Sequence, residues 1–443
     1  GLRTILIEKD TLGGTCLNHG CIPTKVLTHG AAFYRRLYGA NEFGFKLDGI
    51  GFSLATLQEK KKKVVNELTS HVGELLKNAT VEVVYGDARV LSSNRVAVKL
   101  SSAEEMEIET EKVILATGSE EVYPPIPGLD LPGVVTSWEA LAFEELPESL
   151  AVIGGGVIAL EMASIFSGLG SKVNIVHRSE RLLRRMDLEM VRRLSTYLKK
   201  SGLQIMMNTP VEKIETAESG NLELKVKTRK GEEKITAQKV LLSVGRKPSF
   251  GGQDLDALGI DYDAGGIKVN SYMETSIPGI YAIGDVSAPG YFLAHVAYHQ
   301  GIVAAEHAAG LDVRFDGAVV PACLFTDPEL ACVGLSEEEA KEKGYDNLKI
   351  GKFPFSASGK AATQGETDGA VKIIAAGDEQ KVIGVHILGP HASDLIQEGA
   401  LAVKQGVSAS ELAELIHPHP TLCESVWEAA MAINKAPLHF GRR

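Results

Sequence analysis

One stretch near the middle of the chain constrains the fold most. Residues 150–153 are a short apolar run typical of a buried strand, and residues 172–176 are a second such run. Between them, Gly154, Gly156 and Ala159 form a G-x-G-x-x-A pattern at the start of a helical segment. This glycine pattern is weak evidence alone, but the flanking strands and helix make it specific. It predicts a Rossmann-like βαβ unit whose tight turn brings backbone amides close to the pyrophosphate of a dinucleotide.

Two cysteines five residues apart, Cys16 and Cys21, follow a strand-like run that ends in Glu8. Five residues of regular helix rise about 7.5 Å, whereas the Cα atoms of a disulfide are usually about 4.4–6.8 Å apart. The pair can therefore form a disulfide only if the backbone bends, and Gly20 allows such a bend. Pro23 suits a helix's first turn, so Cys21 is expected near a helix start, which lowers a thiol pKa. The pattern favours a redox-active pair over two buried structural cysteines.

The residues around this pair carry a resemblance. From Gly13 to Lys25 the sequence GGTCLNHGCIPTK resembles the active-site segment of the flavin-dependent disulfide reductases, and among them most closely that of the dihydrolipoamide dehydrogenases. The resemblance covers essentially the whole chain. It implies that Cys16 exchanges with the substrate dithiol and that Cys21 contacts the flavin. His19 departs from the pattern, because a small apolar residue is expected there.

The same resemblance implies FAD and a nicotinamide dinucleotide as cofactors. The residues expected to bind FAD are Glu8, Gly14, Thr15, Lys25, Thr117, Gly118, Gly284 and Asp285. Those expected to bind the nicotinamide dinucleotide are Gly154, Gly156, Ala159, His177, Arg178 and Gly245. Asp285 is assigned by the resemblance to the ribityl chain of the flavin. Lys25 and Glu161 are expected to meet beside the flavin and the nicotinamide, although each alone is equally typical of a surface charge.

A second chemical motif lies near the C-terminus. Residues 417–424 read HPHPTLCE, and the two prolines favour an extended segment. The string resembles the base segment of the same family, which implies His419 as the base and Glu424 as the carboxylate that orients it. In that family the pair comes from the other subunit of a homodimer. Thr421 is expected to cap the following helix, and Cys423 is interpreted as a small packed residue, with a thiol that traps oxidant or metal as the alternative.

The residues after the second strand of the βαβ unit bear on which nicotinamide is used. An acidic residue there accepts the ribose 2′-hydroxyl of NAD, whereas arginine accommodates the 2′-phosphate of NADP. This chain has His177, Arg178 and Ser179 at that place, then Glu180 and three arginines, Arg181, Arg184 and Arg185. The pattern resembles NADP-using reductases, with a solvated basic helix start as the alternative. The whole-chain resemblance predicts NAD, and the arginines predict measurable use of NADP.

The first residues resemble the second strand of a dinucleotide-binding unit. Neither a first strand nor a glycine-rich turn stands before them in the sequence. A Rossmann unit places the pyrophosphate on that turn. The expectation is therefore that the sequence is a fragment of such a protein, or one lacking its first segment, and that the 443-residue chain as written holds FAD poorly.

Length and composition set the remaining limits. The 443 residues carry a net charge of −11, which argues against a nucleic-acid surface. No apolar run is long enough for a membrane span, five cysteines are too few for a disulfide scaffold, and no metal site is predicted.

The predicted fold is α/β, with two Rossmann-like dinucleotide-binding domains and a C-terminal α+β dimerisation domain. The expected boundaries are 1–120 and 246–316 for the FAD domain, 121–245 for the NAD(P) domain and 317–443 for dimerisation.

The leading hypothesis is a cytoplasmic, homodimeric flavoprotein that oxidises protein-bound dihydrolipoamide through Cys16, Cys21 and FAD. Its expected partners are the lipoyl domains of 2-oxo acid dehydrogenase or glycine cleavage complexes, with neither nucleic acid nor membrane as a partner. A reductase that uses NADPH on another disulfide is one alternative. A non-catalytic scaffold or fragment without FAD is the other.

Overall fold

The computed structural model describes residues 2–102, 104–434 and 436–441. Its first part holds a four-stranded sheet in the order β1-β2-β3-β4, with strands Ile5–Glu8, Glu82–Ser92, Arg95–Leu100 and Glu105–Glu109. Strand β1 is parallel to β2, whereas β2, β3 and β4 form an antiparallel meander. The helices between β1 and β2 are α1 Gly14–His19, α2 Cys21–Tyr38 and α3 Leu54–Asn78. Two short strands follow, β5 Val113–Leu115 and β6 Ser119–Glu121.

The next unit contains a parallel five-stranded sheet in the order β10-β9-β8-β14-β7. Its strands are β7 Val134–Val135, β8 Ser149–Ile153, β9 Lys172–Val176, β10 Gln204–Met206 and β14 Lys239–Leu242. Its helices are α4 Ser137–Leu141, α5 Val157–Leu169 and α6 Leu188–Lys200. A three-stranded meander precedes β14, with strands β11 Val211–Thr216, β12 Leu222–Thr228 and β13 Gly231–Ala237. The predicted βαβ unit is therefore β8, α5 and β9.

The chain then returns to the first part of the molecule. Strand β15 Arg246–Pro248 pairs with β6, and β18 Ile280–Ala282 runs parallel to β5. The remaining elements of this region are α7 Leu255–Leu258, β16 Tyr262–Asp263, β17 Gly266–Ile267 and α8 Ala294–Ala308. These pairings bring together segments more than 100 residues apart in sequence. The four-stranded sheet together with β5, β6, β15 and β18 is called the flavin-side region below, because the residues expected to bind FAD lie there.

The C-terminal part is built on an antiparallel sheet in the order β19-β20-β23-β22-β21. Its strands are β19 Ala322–Leu324, β20 Glu329–Gly334, β21 Lys349–Pro354, β22 Ala370–Ala376 and β23 Lys381–Gly389. Its helices are α9 Glu337–Glu342, α10 Gly359–Gln364, α11 Ala392–Gln405, α12 Ala409–Glu414 and α13 Glu424–Asn434. The α/β class and the C-terminal α+β unit agree with the sequence prediction.

One apolar core joins the cysteine-bearing helix to the nucleotide unit. Leu27 and Ala31 of α2 pack with Leu160 and Phe166 of α5, and all four side chains are buried. Helix α5 is apolar on nearly every face, because it lies between the parallel sheet and α2. This packing fixes the distance between the cysteine segment and the G-x-G-x-x-A turn. Within the described ranges, no helix is long and apolar enough to cross a membrane.

Candidate active site

A break between two helices brings the cysteines together. Helix α1 ends at His19 and α2 begins at Cys21, with Gly20 between them at φ −135° and ψ −107°. A Cβ at Gly20 would lie 3.0 Å from the carbonyl oxygen of Thr15, so a side chain there would crowd the backbone of the bend. The hydroxyl of Thr24 donates a hydrogen bond to the Gly20 carbonyl at 2.6 Å. The predicted bend and the predicted helix start at Cys21 are both confirmed.

The two thiols differ in their acidity. Both are free and half-buried, and a side-chain hydrogen bond links them. The hydrogen bond from Cys16, together with the charge of Lys25, lowers the pKa of Cys21 to about 7 against the opposing effect of burial. The same hydrogen bond and burial raise the pKa of Cys16. Near neutral pH, Cys21 is therefore the thiolate of the pair and Cys16 keeps its proton.

The structure brings Lys25 and Glu161 together, as expected from the sequence. Lys25 Nζ lies 3.0 Å from Glu161 Oε2 and 3.2 Å from Oε1, and Glu161 is only 5% exposed. Glu161 Oε1 also accepts a hydrogen bond from the amide of Phe325 at 2.9 Å, and the ammonium group stands 4.0 Å from that residue's ring centroid. The carboxylate is therefore fully paired, and it holds the lysine charge close to Cys21.

Tyr298 was not predicted from the sequence. The residue lies close enough to Cys16 and Cys21 for their charges to act on its phenol, and it is 66% exposed, so it borders the open side of the cysteine pair. Burial and then the nearby thiols raise the pKa of Tyr298, which keeps the phenol protonated and able to donate. No local pattern announces this contact, because α8 lies far along the chain from the cysteines. The unexpected His19 stacks on Trp138 at 4.4 Å between ring centroids.

The C-terminal dyad has the predicted partners. His419 Nδ1 lies 2.8 Å from Glu424 Oε1, and Glu424 Oε2 accepts a hydrogen bond from the amide of Thr421 at 2.8 Å. Burial opposes ionisation of Glu424, but the hydrogen bonds from Thr421 and His419 outweigh it and lower its pKa. The imidazole is 72% exposed, which leaves Nε2 free to act on a substrate proton. No hydrogen bond or ion pair among residues 2–102, 104–434 and 436–441 joins this dyad to the cysteine pair.

In this segment one prediction, the helix cap at Thr421, is wrong, and two contacts, at Cys423 and His417, were not predicted. The predicted helix cap at Thr421 is wrong: its hydroxyl donates to the Pro418 carbonyl at 2.7 Å, and α13 begins only at Glu424. The Thr421 hydroxyl also lies 3.0 Å from Cys423 Sγ, so this thiol has a polar neighbour within the turn. His417 is buried, and its Nε2 lies 2.9 Å from Glu398 Oε1. Of the two histidines, only His419 is open to solvent.

The glycine turn fits a dinucleotide. Gly154 has φ +144°, and a Cβ there would lie 2.0 Å from the Ser243 carbonyl oxygen, so only glycine fits. Gly156 precedes α5 with no side-chain cap and with open space where a Cβ would be. The first amides of α5 are therefore available to a pyrophosphate. Ala159 is fully buried beneath the turn, and Gly245, at φ +130°, also faces open space.

Two expected flavin segments meet because β5 and β18 are parallel neighbours. Strand β5 leads to Thr117 and Gly118, and β18 leads to Gly284 and Asp285, so all four lie at the carboxyl end of one strand pair. Asp285 Oδ2 accepts a hydrogen bond from Ser119 Oγ at 2.7 Å. The Gly284 amide donates to the Gln300 side chain at 2.7 Å, and the Thr117 hydroxyl donates to the Ser249 carbonyl at 2.6 Å.

The chemistry of these residues fits FAD. Glu8 ends β1, and Asp285 supplies a second carboxylate that can accept hydrogen bonds from sugar or ribityl hydroxyl groups. Gly14 and Gly118 have positive φ, and a Cβ at either would meet nothing within 4 Å, so their backbones face open space. Thr15 is exposed in α1 beside Cys16. In the part of the chain that the structure describes, no group of three or more His, Cys, Asp or Glu side chains is arranged to hold a metal ion.

Known relatives agree with this geometry. A dihydrolipoyl dehydrogenase of Bacillus subtilis (strain 168) is 41% identical over 453 residues, which cover 99% of this chain and 94% of the relative. One from Thermus scotoductus is 40% identical, covering 100% and 95%, and the mitochondrial enzyme of Pisum sativum is 38% identical, covering 99% and 88%. Among solved structures, the HOCl-induced flavoprotein disulfide reductase RclA from Escherichia coli superposes with a TM-score of 0.87 at 28% identity, covering 98% of this chain and 95% of RclA.

Family models match most of the chain. Residues 1–301 match the model described as pyridine nucleotide-disulphide oxidoreductase, and residues 320–430 match the dimerisation domain of the same family. These matches confirm the predicted fold class, the FAD and nicotinamide cofactors and the homodimer. The chain belongs to the family of pyridine nucleotide-disulphide oxidoreductases.

Proposed function

We propose that this protein is a dihydrolipoyl dehydrogenase, which oxidises protein-bound dihydrolipoamide and passes the electrons to NAD. The observation that carries the proposal is the cysteine pair, in which Cys21 has a pKa of about 7 beside the Lys25–Glu161 ion pair. A pair with one stabilised thiolate and one protonated thiol is suited to dithiol–disulfide exchange. The names of the relatives support the substrate.

The exchange begins with the Cys16–Cys21 disulfide. A substrate thiol gives its proton to His419 and attacks Cys16 Sγ, and Cys21 leaves as a thiolate stabilised by Lys25. The second substrate thiol then attacks the substrate sulfur of the mixed disulfide, which closes the lipoyl ring and releases Cys16 as a thiol. Two electrons and two protons have then left the substrate. FAD, when bound, supplies the two-electron acceptor between the cysteine pair and NAD⁺, which is released as NADH with one proton.

The residues proposed to hold the cofactors follow from the site. Glu8, Thr15 and Asp285 offer hydrogen-bonding side chains toward FAD, and Gly14, Thr117, Gly118 and Gly284 offer open backbone. Gly154, Gly156, Ala159 and Gly245 form the turn and nearby backbone proposed for the nicotinamide dinucleotide, with His177 and Arg178 at its adenosine end. Glu161 positions Lys25, which in turn stabilises the Cys21 thiolate.

We also propose that His419 acts across the dimer. Its dyad has no contact with the cysteines of its own chain among the described residues, and its imidazole is open to solvent. The neighbouring side chains of Leu415 and Ile416 are apolar and 53% and 99% exposed. Burial of these side chains against a second copy would bring His419 into that copy's cysteine site. Each active site would then need both chains.

The domain boundaries and the partners, both predicted from the sequence, are part of the same proposal. The divisions 1–120, 121–245, 246–316 and 317–443 follow the passage from the flavin-side region to the parallel sheet, back again and into the antiparallel sheet. The lipoyl domains of 2-oxo acid dehydrogenase or glycine cleavage complexes are the proposed carriers of the substrate, in the cytoplasm.

A reductase of another disulfide is the second candidate. The RclA structure, whose title names a disulfide reductase, superposes closely on this chain. Parallel assays separate the two functions: dihydrolipoamide with NAD⁺ in one direction, and glutathione disulfide or lipoamide with NADH or NADPH in the other. The proposal expects the lipoyl substrates to react at least about 100-fold faster in kcat/KM than glutathione disulfide, which equals about 2.7 kcal/mol.

Two variants test the roles of the residues. Cys16→Ser should abolish dihydrolipoamide turnover, because no mixed disulfide can form. His419→Gln should lower turnover by about 10²–10⁴-fold, the usual contribution of general acid–base catalysis. The control is His71→Gln, an exposed histidine of α3, which should keep full activity. Near-normal turnover in His419→Gln would refute the base, and equal rates with glutathione disulfide would refute the substrate.

A further inference from the structure

Residues 325–327 follow β19 and connect the antiparallel sheet to the cysteine site of the same chain. The amide of Phe325 donates a hydrogen bond to Glu161 Oε1 at 2.9 Å, and Lys25 Nζ lies over the Phe325 ring, 4.0 Å from its centroid. One residue of the C-terminal part therefore contacts both members of the Lys25–Glu161 ion pair. The inference below rests on the proposed function, in which Lys25 stabilises the Cys21 thiolate.

This segment is held in place independently of the lysine. Asp327 Oδ2 lies 2.7 Å from Arg35 Nη2, and Arg35 stands ten residues after Lys25 on α2, about 15 Å farther along the helix. The hydroxyl of Thr326, a residue only 2% exposed, donates to a backbone carbonyl of the same turn at 2.7 Å. The Phe325 ring is therefore a fixed surface against which the lysine side chain packs.

The Lys25 side chain is long and partly open, so its position depends on such contacts. It is 33% exposed, whereas its partner Glu161 is buried. A lysine ammonium group is a point charge at the end of a flexible four-carbon stem. An aromatic face attracts a cation through the ring quadrupole, and the attraction grows where water is excluded. The ring therefore narrows the range of positions that the ammonium group samples.

A neutral ring suits this place better than a second carboxylate. The charge of Lys25 lowers the pKa of Cys21, whereas the charge of Glu161 raises it. A carboxylate at position 325 would also bind the ammonium group, but its negative charge would disfavour the thiolate. The ring holds the ammonium group without adding a charge. Cys21 and Lys25 are four residues apart on α2, a spacing that places their side chains on one face of the helix.

We propose that Phe325 is a positioning residue of the dithiol reaction: its amide orients Glu161, and its ring holds the Lys25 ammonium group beside Cys21. Phe325 acts through Lys25 and needs no contact of its own with the substrate. The C-terminal part of the chain thus stabilises the thiolate of its own cysteine pair, in addition to carrying the base proposed for the other copy.

The pH dependence of Cys21 alkylation tests this in the whole protein. The protein is reduced with a phosphine, iodoacetamide is the probe, and peptide mapping assigns the label to Cys21. Phe325→Leu should raise the midpoint of the alkylation rate by about 0.4–1 pH unit, because a less confined ammonium group stabilises the thiolate less. Phe325→Tyr keeps the aromatic face and should stay within about 0.2 unit of wild type. Phe315→Leu, which removes another half-buried ring, is the matched control and should leave the midpoint unchanged.

A second background shows whether the effect runs through the lysine. In Lys25→Gln the midpoint should already be raised, and adding Phe325→Leu should change it by less than about 0.2 unit, since no ammonium group is left to hold. The other titratable groups beside Cys21 are Cys16, Glu161 and Tyr298, and they are the same in every variant. A change of equal size in both backgrounds would refute the proposal, because a general disturbance of the structure would act without the lysine.

The outcomes separate this inference from the proposed function. If Lys25→Gln raises the midpoint and Phe325→Leu leaves it unchanged or lowers it, Phe325 has no positioning role, while the proposed role of Lys25 stands. If Lys25→Gln itself leaves the midpoint unchanged, the role of Lys25 in the proposed function is refuted, and the role of Phe325 falls with it.

Discussion

Lys372 carries a buried charge whose removal should destabilise the protein strongly. Its Nζ lies 2.9 Å from Asp187 Oδ2, 3.0 Å from Glu337 Oε2 and 3.3 Å from Glu189 Oε2. The lysine and Asp187 side chains are 1% and 0% exposed. Because Lys372 lies on β22 and Asp187 precedes α6, the pair ties the antiparallel sheet to the nucleotide unit.

The expected loss follows from burial. The substitution Lys372→Met keeps the side-chain volume but leaves the Asp187 carboxylate buried without its counter-charge, which costs about 3–5 kcal/mol. The double substitution Lys372→Met with Asp187→Asn removes both charges. Asparagine also keeps the oxygen that accepts the hydrogen bond from the Met190 amide at 3.2 Å. The double variant should therefore be more stable than Lys372→Met by about 2 kcal/mol.

Urea unfolding, followed by tryptophan fluorescence at one fixed protein concentration, measures these differences from the midpoint and slope. The control is Lys352→Met. This lysine pairs with Glu189 at 2.7 Å but is 42% exposed, so its loss should cost less than about 1 kcal/mol. The cost assigned to the unpaired Asp187 charge is refuted if Lys372→Met loses no more stability than Lys352→Met, or if the double variant is as unstable as the single one.

Three further predictions concern the sites. The rate of iodoacetamide alkylation of Cys21 in the reduced protein should rise with pH through about 7 and then level off. Cys16→Ala should move that midpoint upward, because the hydrogen bond from Cys16 is the largest stabiliser of the Cys21 thiolate. An unchanged midpoint would contradict that hydrogen bond. Tyr298→Phe removes a hydroxyl beside Cys16 and should lower kcat/KM for dihydrolipoamide roughly three- to tenfold, about the net value of one hydrogen bond, with FAD content unchanged. Wild-type kinetics would show that this hydroxyl has no role in turnover. The hydrogen bond to Glu398 raises the pKa of His417 above its ordinary 6.5 against burial, so the stability that it gives is fully present below pH 6.5 and is lost as pH rises through the raised pKa. Urea midpoints of Glu398→Gln and wild type should therefore differ most near pH 6 and converge at higher pH, and a constant difference would contradict the linkage.

The elements that the sequence predicted well are those with local signals. Helix α3 begins after Ser53, a residue type that favours helix starts, and the Ser53 side chain accepts a hydrogen bond from the Thr56 amide. Ser336 and Glu339 have the spacing of a capping box, and the structure forms it at the start of α9. The bend at Gly20 and the turn at Gly154 were also predictable, since both depend on backbone geometry within a few residues. The expected cap at Thr421 is wrong, because α13 begins only at Glu424 and, among the described residues, no amide of its first turn donates to the Thr421 hydroxyl.

The contacts that set the chemistry were decided by tertiary structure. Lys25 and Glu161 are 136 residues apart: the family resemblance implied that they meet, but the contact itself depends on the packing of α2 on α5. No local pattern in the sequence predicts that Tyr298 of α8 lies beside Cys16. Likewise, only the fold shows that Glu180 forms no ion pair with the arginines after β9 among the described residues. Local sequence determines where a chain bends and which residue types stand at each turn, but a pKa or an ion pair depends on side chains that only long-range packing brings within a few ångströms.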